Sequence, residues 1–197
     1  GDLSSYGGLL LIKEFASRIG LIRLVKQLFK TNDHTQCRIH KDPDNLMQLV
    51  YQIIASYFED NCADELTNDP VMIAILDKEA LASQPTLSRF WNRMDGDTLS
   101  QLDMIQSKMK DIVYSVQKPE HMLFDLDSTL LNTYGMQEGE GFNYHYQGHG
   151  YHPLFCYDGL TGDLLKAELR DGTQYCSKDA DQFMIPLMQE YRSMQTA

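Results

Sequence analysis

The segment Met122-Leu123-Phe124-Asp125-Leu126-Asp127-Ser128-Thr129 decides how the second half of the chain folds. It is a short apolar run that ends in acidic residues, a pattern typical of a buried strand. Side chains alternate between the two faces of a strand, so Asp125 and Asp127 are expected on one face, about 7 Å apart. Phe124 and Leu126 are expected on the other face. Two carboxylates held side by side in this way require a positive partner.

A divalent cation is the partner that this pair of acids favours. Mg²⁺ and Mn²⁺ prefer hard carboxylate oxygens and usually keep several waters and a phosphate in their shell. In the alternative interpretation, one acid caps the following turn and the other is exposed to solvent. The sequence predicts Asp125 and Asp127 as metal ligands and leaves this alternative open.

The residues before this strand, 1–118, show helical spacing. Apolar residues recur at three- and four-residue steps over 12–29, with a predicted break near Gly20. Further helices are predicted from Asp44 as N-cap, from Asp69-Pro70, over 87–93 after Pro85-Thr86 and ending at Asp95-Gly96, and from Thr98 as N-cap. The last of these helices is expected to bury Leu99, Leu102, Ile105, Met109, Ile112, Val113 and Val116.

After Lys118-Pro119 the periodicity changes from helix to strand. A strand is predicted at 121–127, and residues 150–157 and 163–169 are predicted to form a hairpin around a glycine-rich turn. A helix with Ser177 as its cap follows at 177–191. The sequence therefore predicts an α+β chain with an all-helical region, 1–118, and a second region, 119–197.

Composition and charge exclude several classes of protein. The chain has 197 residues, of which 43% are hydrophobic, and a formal net charge of −11. No apolar run approaches the ~20 residues of a membrane span, and the net charge excludes nucleic-acid binding over the whole surface. The charge is uneven, however, at +4 for residues 1–41 and −8 for 42–80, so any DNA contact is confined to one face. The cysteines form no CxxC pair and are expected to be reduced thiols of a cytoplasmic protein: Cys37, Cys62, Cys156 and Cys176.

The acidic segment resembles two families of phosphoryl-transfer enzymes. Residues 125–130 match the D-x-D-x-T-L signature of the haloacid-dehalogenase-like phosphohydrolases, in which the first acid is a nucleophile and the second a general acid. That family continues with a parallel α/β sheet, whereas a hairpin is predicted here. The phosphohydrolase is therefore kept as the alternative function.

A larger set of motifs, within residues 7–190, resembles the DDE-type transposases of bacterial insertion sequences. The strongest stretch consists of Asp125-Leu126-Asp127-Ser128-Thr129, Tyr134-Gly135-Met136-Gln137-Glu138-Gly139, Asn143-Tyr144-His145-Tyr146, Gly148-His149-Gly150-Tyr151-His152-Pro153-Leu154, Asp158-Gly159-Leu160-Thr161-Gly162 and Leu169-Arg170-Asp171-Gly172. Upstream, the similarity extends to Tyr57-Phe58-Glu59-Asp60-Asn61, Asp69-Pro70 and Ser83-Gln84-Pro85-Thr86-Leu87-Ser88-Arg89-Phe90. In this order, the motifs are specific.

The resemblance implies a ribonuclease-H-like catalytic core. Such a core begins with three antiparallel strands, with the first catalytic acid on the first strand, followed by a helix and a fourth strand with the second acid. The predicted elements of 119–197 follow this order and stop near the fourth strand. The resemblance thus implies an N-terminal fragment of a transposase, with a partial catalytic domain that lacks the family's second Asp and final Glu and is inactive alone.

The resemblance also implies the chemistry, the cofactor and the partners. The reaction would be metal-dependent phosphoryl transfer, namely cleavage and strand transfer at transposon-end DNA, with two Mg²⁺ or Mn²⁺ ions. Asp127 matches the first catalytic acid, and Asp125 is an auxiliary metal ligand. The partners would be double-stranded terminal inverted repeats and target DNA, with a homodimer in the synaptic complex. The place of action would be the bacterial cytoplasm, on the nucleoid.

Two groups of residues are candidates for DNA contact. The helix near 86–93 resembles a recognition helix and presents polar side chains, and the predicted strand near 163–169 has two cations four residues apart on one face. The candidates are Arg89, Asn92, Arg93, Lys166 and Arg170. A surface helix with Phe90 and Trp91 in the core, and a solvated sheet face, are the alternatives.

The spacing of His145, His149 and His152 raises a zinc site as a further hypothesis. Steps of four and three residues would cluster these side chains on a helix, but Gly148, Gly150 and Pro153 disfavour a helix there. Structural packing is the first interpretation of these histidines, and DNA contact the second.

Overall fold

The computed structural model describes residues 3–33, 35, 37–59 and 61–195, and the chain divides into two compact units, Gly1–Lys118 and Pro119–Ala197. The elements in the described part of the first unit are α1 (Leu9–Arg18), α2 (Leu21–Leu28), α3 (Asp42–Ile54), α4 (Cys62–Leu66), α5 (Pro70–Leu76), α6 (Gln84–Trp91) and α7 (Gly96–Val116). Those of the second are β1 (Phe124–Ser128), β2 (Leu131–Asn132), β3 (Gly141–Asn143), β4 (Gly148–Tyr151), β5 (Leu154–Asp158), β6 (Leu164–Glu168) and α8 (Ala180–Gln195). The predicted α+β class is confirmed.

The predicted break near Gly20 separates α1 from α2. Gly20 has φ +80°, the left-handed conformation that glycine adopts without steric cost, and α2 begins at the next residue. Beyond the break, Val25 and Phe29 are each 2% exposed and pack into the core of the first unit.

Two predicted helix starts have different outcomes. Asp69 accepts hydrogen bonds from the backbone N–H groups of Val71 and Met72, both at 2.9 Å, and caps α5 as predicted. The prediction of Asp44 as N-cap is wrong, because α3 already begins at Asp42. Asp44 lies within the first turn of α3, where its carboxylate pairs with the ammonium of Lys78.

The helix α6 is held in place by a side chain of α3. The buried amide of Gln48 donates to the carbonyl of Ala82 (2.9 Å) and accepts from its N–H (2.8 Å), just before α6 begins at Gln84. Leu87 and Phe90 of α6 are fully buried. This packing fixes which face of α6 meets solvent.

The start of α7 differs from the prediction by one turn. Asp95 is the N-cap, and its carboxylate accepts from the N–H of Thr98 (3.0 Å), while the Thr98 hydroxyl accepts from the N–H of Asp95 (2.6 Å). Thr98 is therefore the third helical residue of a capping box, not the cap. Asp95-Gly96 begins α7 and is not the end of the preceding helix.

The predicted buried stripe of α7 is confirmed in the middle of the helix, where Leu102 and Met109 pack against the core, and is wrong at the two ends. Ile105 is 7% exposed and belongs to the core, but Leu99, Val113 and Val116 are 60%, 53% and 86% exposed. Helical periodicity shows that these residues share a face, but it does not show whether another element of the unit covers that face.

The second unit contains a three-stranded sheet in the order β1-β5-β6. Both pairs are antiparallel, with Asp125 opposite Tyr157 and Asp127 opposite Phe155 in the first pair. One face of this sheet is buried and carries Leu154 and Cys156 of β5. Three antiparallel strands followed by a helix are thus present, although three strands that were not predicted in this form lie between β1 and β5 in the chain.

The predicted strand 150–157 is wrong, because its residues belong to two strands in different sheets. β4 ends at Tyr151, β5 begins at Leu154, and the chain between them is His152-Pro153. Proline has no N–H for a strand ladder, which fits a break at this point. β4 instead lies at the centre of a second antiparallel sheet, β2-β4-β3, which the sequence analysis did not predict.

The chain around Gly172 lies directly against this second sheet. A side chain at Gly172 would place its Cβ 1.9 Å from the carbonyl oxygen of Gly150 and 2.6 Å from the backbone nitrogen of Gly141. The N–H of Gly172 donates to the carbonyl of Gly139 (3.0 Å). Glycine is therefore required here so that the two backbones can approach.

The helix α8 packs its apolar side chains on the three-stranded sheet of its own unit. Phe183, Leu187 and Tyr191 are each at most 4% exposed, and the ring of Tyr191 meets that of Phe124 at 5.5 Å. The helix begins at Ala180, so the predicted cap Ser177 lies outside it. In the part of the chain that the structure describes, no helix is long and apolar enough to span a bilayer.

Candidate functional site

Asp125 and Asp127 lie on the exposed side of β1, as the alternation of a strand predicts. Both side chains are exposed, and their partners across the strand pair are Tyr157 and Phe155. The opposite side of the same pair carries the buried Cys156 and Leu126, which is itself 38% exposed, so the prediction of a buried strand is wrong for β1. The two carboxylates therefore share one face, about 7 Å apart along the strand.

The end of β1 is held by two hydrogen bonds. A carboxylate oxygen of Asp127 accepts from the backbone N–H of Ser128 (2.8 Å), and the hydroxyl of Tyr146 donates to the carbonyl of Ser128 (2.6 Å). Tyr146 was not a sequence candidate, because the contact joins residues 18 positions apart in the chain. One carboxylate oxygen of Asp127 thus accepts a backbone hydrogen bond at the strand end, as expected if one of the two acids caps the following turn.

The chemistry of the donor set fits a hard divalent cation in part. Two exposed carboxylates supply oxygen ligands, and Mg²⁺ is commonly bound through one or two carboxylates together with substrate phosphates. Residues 119–165 include seven acids and neither lysine nor arginine, so no cationic side chain from this segment neutralises the pair. Among the described residues, however, no group of three or more His, Cys, Asp or Glu side chains could hold a metal ion.

The thiol of Cys156 lies on β5, opposite Leu126 of the acidic strand β1. Burial raises the pKa of Cys156, and the negative charges of Asp125 and Asp158 raise it further, while Lys166 acts in the opposite sense. A buried thiol of raised pKa is a poor nucleophile. All four cysteines of the chain are free.

The candidate DNA-contact residues on α6 and just after its end lie in two different environments. Arg89 and Asn92 are exposed, and a guanidinium nitrogen of Arg89 is 3.4 Å from the hydroxyl of Thr86. Arg93 is different, because its guanidinium pairs with the carboxylates of Asp42 (3.1 Å) and Asp33 (3.5 Å). The charge of Arg93 is thus already balanced within its own unit.

The pairing of Arg93 belongs to a network centred on Asp42. Burial opposes ionisation of Asp42, but hydrogen bonds from Thr31 and the guanidinium groups of Arg38 and Arg93 outweigh it and lower the pKa of Asp42. The Asp42 side chain is only 8% exposed. This network ties the loop before α3 to the end of α6.

Lys166 and Arg170 make internal contacts rather than a common outer face. The Lys166 ammonium donates to the carbonyl of Phe183 (2.9 Å) and lies 4.3 Å from the centre of its ring. Arg170 is 8% exposed and donates to the carbonyls of His152 (3.0 Å), Cys176 (3.3 Å) and Lys178 (3.0 Å). The Lys166 ammonium is thus bound to α8, and the Arg170 guanidinium is bound to backbone carbonyls of its own unit.

The three histidines lie in different surroundings. His152 is fully buried, with one ring nitrogen 2.8 Å from the carbonyl of Gln174, and its ring packs on Tyr146 at 5.4 Å. His149 is exposed on β4, where it lies 3.4 Å from the Glu140 carboxylate. His145 is also exposed and packs on Tyr146 at 4.7 Å. Packing, the first interpretation, therefore describes His152 best.

The chain matches a family model of known proteins. The family model described as transposase DDE domain group 1 matches residues 1–197. No curated protein matches the chain, and no solved structure does. Asp60, in one of the upstream motifs, lies outside the described residues. Residues 125–128 lie on β1, whereas the motifs at 134–139 and 169–172 lie between elements. Across its whole length, the chain belongs to the transposase family with a DDE domain of group 1.

Proposed function

We propose that the chain binds transposon-end DNA and contributes Asp127, with Asp125, to the metal site that carries out cleavage and strand transfer there. The observation that supports this most strongly is the pair of exposed carboxylates on one face of an antiparallel strand, in a member of a DDE transposase family. We assign Asp127 the role of first catalytic acid, and Asp125 that of an auxiliary ligand. The fold that fits this role is the beginning of a ribonuclease-H-like domain.

The proposed chemistry is metal-assisted phosphoryl transfer. A bound Mg²⁺ or Mn²⁺ pair would activate water or a 3′-hydroxyl and stabilise the leaving oxygen. The chain's own part is to present carboxylate oxygens on a strand whose end is fixed by Tyr146 and by the partner strand β5. The acid-rich, cation-free segment around them leaves the incoming phosphate to be neutralised by metal ions rather than by side chains.

We further infer that the 197-residue chain does not cleave DNA by itself. Two carboxylates about 7 Å apart along a strand are too few to hold two ions close together, and the described residues offer no third ligand beside them. The first unit supplies DNA binding and assembly in this proposal, with a homodimer in the synaptic complex. Of the predicted contact residues, Arg89 and Asn92 are the ones whose exposure supports a direct role.

A binding and cleavage experiment tests the proposal. The chain is incubated with a labelled duplex that carries the element's terminal repeat, and with an unrelated duplex of equal length, in the presence of Mg²⁺ or Mn²⁺. We expect tighter binding to the terminal repeat, which Arg89→Ala with Asn92→Ala reduces, and no strand cleavage. Equal affinity for both duplexes would contradict end recognition. Cleavage abolished by Asp127→Ala would show that two acids suffice and contradict the partial site.

A further inference from the structure

The helix α2 carries a basic outer face that the sequence analysis did not assign to any function. Between Glu14 and Asp33 the chain has no acidic residue over 18 positions, although it has 28 acids in total, and the same stretch includes four basic residues. One of these, Arg18, is paired with Glu14 at 2.7 Å. The other three, Arg23, Lys26 and Lys30, form what we call the α2 basic face.

The three cations of the α2 basic face are exposed. Arg23 and Lys26 stand three residues apart on α2, which places their side chains on neighbouring positions of one helix face, and Lys30 follows the helix end at Leu28. All three are exposed, and none forms an ion pair with another residue in the described part of the chain. The opposite side of α2 is anchored, since Val25 is 2% exposed.

Three other basic side chains of the first unit are instead paired with acids. Arg38 and Arg93 are bound to Asp42, and Lys78 is bound to Asp44. In a chain of net charge −11, three exposed cations without carboxylate partners form a local positive surface. The partner that fits such a surface is a polyanion with evenly repeated charges.

We propose that the α2 basic face binds the phosphate backbone of the DNA duplex. The inference rests on the proposed function, and it adds a contact surface distinct from α6. Phosphate contacts position a protein on a duplex but carry no sequence information. The α2 basic face therefore supplies affinity for any duplex. Arg89 of α6 and Asn92, at the end of that helix, supply the preference for the terminal repeat.

The test uses fluorescence anisotropy with the terminal-repeat duplex and an unrelated duplex over a range of salt concentrations. Affinity falls with salt concentration, and each lost phosphate contact makes the negative slope of log affinity against log salt concentration shallower by about 0.9. For the variant Arg23→Gln, Lys26→Gln, Lys30→Gln, we expect a weaker salt dependence, with the slope shallower by about two to three units, or about 0.9 per contact. Affinity should fall for both duplexes, with the ratio between them unchanged.

A matched control separates position from net charge. The variant Lys108→Gln, Lys118→Gln, Lys178→Gln also removes three exposed positive charges, none of them on α2, and it should keep the wild-type slope. Circular dichroism confirms that both variants fold. Equal slopes for the α2 variant and the wild type, or equal losses in the two variants, would overturn the inference and leave end recognition standing. A wild-type chain that binds neither duplex would overturn both proposals.

Discussion

At the scale of single residues, several charged side chains of this protein have partners that are distant in sequence. Asp69 could be predicted as a helix cap because its partners lie two and three residues away. Arg93 could not be distinguished from Arg89 by sequence, because its partners Asp33 and Asp42 lie more than 50 residues earlier. Local signals thus identify caps and turns, whereas the partners of a charged side chain depend on the tertiary fold.

The first prediction concerns Gly172. Replacing it with alanine would place a methyl group within 1.9 Å of the Gly150 carbonyl oxygen, which forces the backbone away from the second sheet. We expect a loss of stability of about 3 kcal/mol or more for that sheet. Hydrogen exchange of the β3 and β4 amides measures it.

Gly96→Ala is the control for this experiment. No atom lies within 4 Å of the position that a Cβ would take at Gly96, so its protection pattern should match that of the wild type. Unchanged protection of β3 and β4 in the Gly172 variant would show that this approach of the two backbones is not required.

The second prediction concerns Asp42 and acid. The pKa of Asp42 is lowered in the folded state, so its ionised form stabilises the first unit above the unfolded pKa of about 3.9, and this stabilisation is lost as the pH falls through the folded pKa. Asp42→Asn should lower the free energy of unfolding at neutral pH by about 2–3 kcal/mol and flatten its dependence on acidic pH. Urea unfolding, followed by the fluorescence of Trp91, gives both quantities.

Glu14→Gln removes an ion pair of the same type at an exposed site, where the side chains are 78% and 62% accessible. Surface pairs contribute about 0–1 kcal/mol, so this variant should unfold almost as the wild type does. If the two variants lose equal stability, the network around Asp42 is not what holds the loop to α3.

At the scale of elements, the type of β1 and of every helix except the short α4 followed from the sequence pattern, but α4, several boundaries and the second sheet did not. Pro43 in the first turn of α3 was the signal that the helix begins before Asp44. The short strands β2 and β3 have two and three residues, too few for an alternating pattern to appear. Their pairing depends on β4, which lies between them in the sheet.

The third prediction belongs to α7 and its capping box. Asp95→Ala removes the acceptor for the N–H of Thr98 and should destabilise the first unit by about 1–2 kcal/mol. Asp95→Asn keeps an acceptor at the same position and should restore most of the loss, since asparagine is an equally favourable N-cap. Urea unfolding of the two variants tests this. Equal stability of the alanine and asparagine variants would contradict the capping role.

At the scale of the whole molecule, charge is segregated along the chain. The α2 basic face and the exposed Arg89 belong to the first unit, whereas the acids proposed for metal binding lie in a segment, 119–165, without a single lysine or arginine. The sequence alone located the acidic strand and the family. It could not show that Lys166 and Arg170 make internal contacts, or that no third ligand lies beside the acids among the residues that the structure describes, because both depend on packing.

The position of a bound metal ion tests directly whether Asp127, with Asp125, forms the proposed metal site on β1. Mn²⁺ is titrated into the ¹⁵N-labelled chain, and paramagnetic broadening of amide signals is followed by NMR for the wild type, Asp127→Asn and the control Asp103→Asn, an exposed acid on α7. The account predicts selective broadening of 125–128 and of the paired residues 154–157, lost in Asp127→Asn and kept in Asp103→Asn. Broadening that is absent from β1, or that persists in Asp127→Asn, would contradict it.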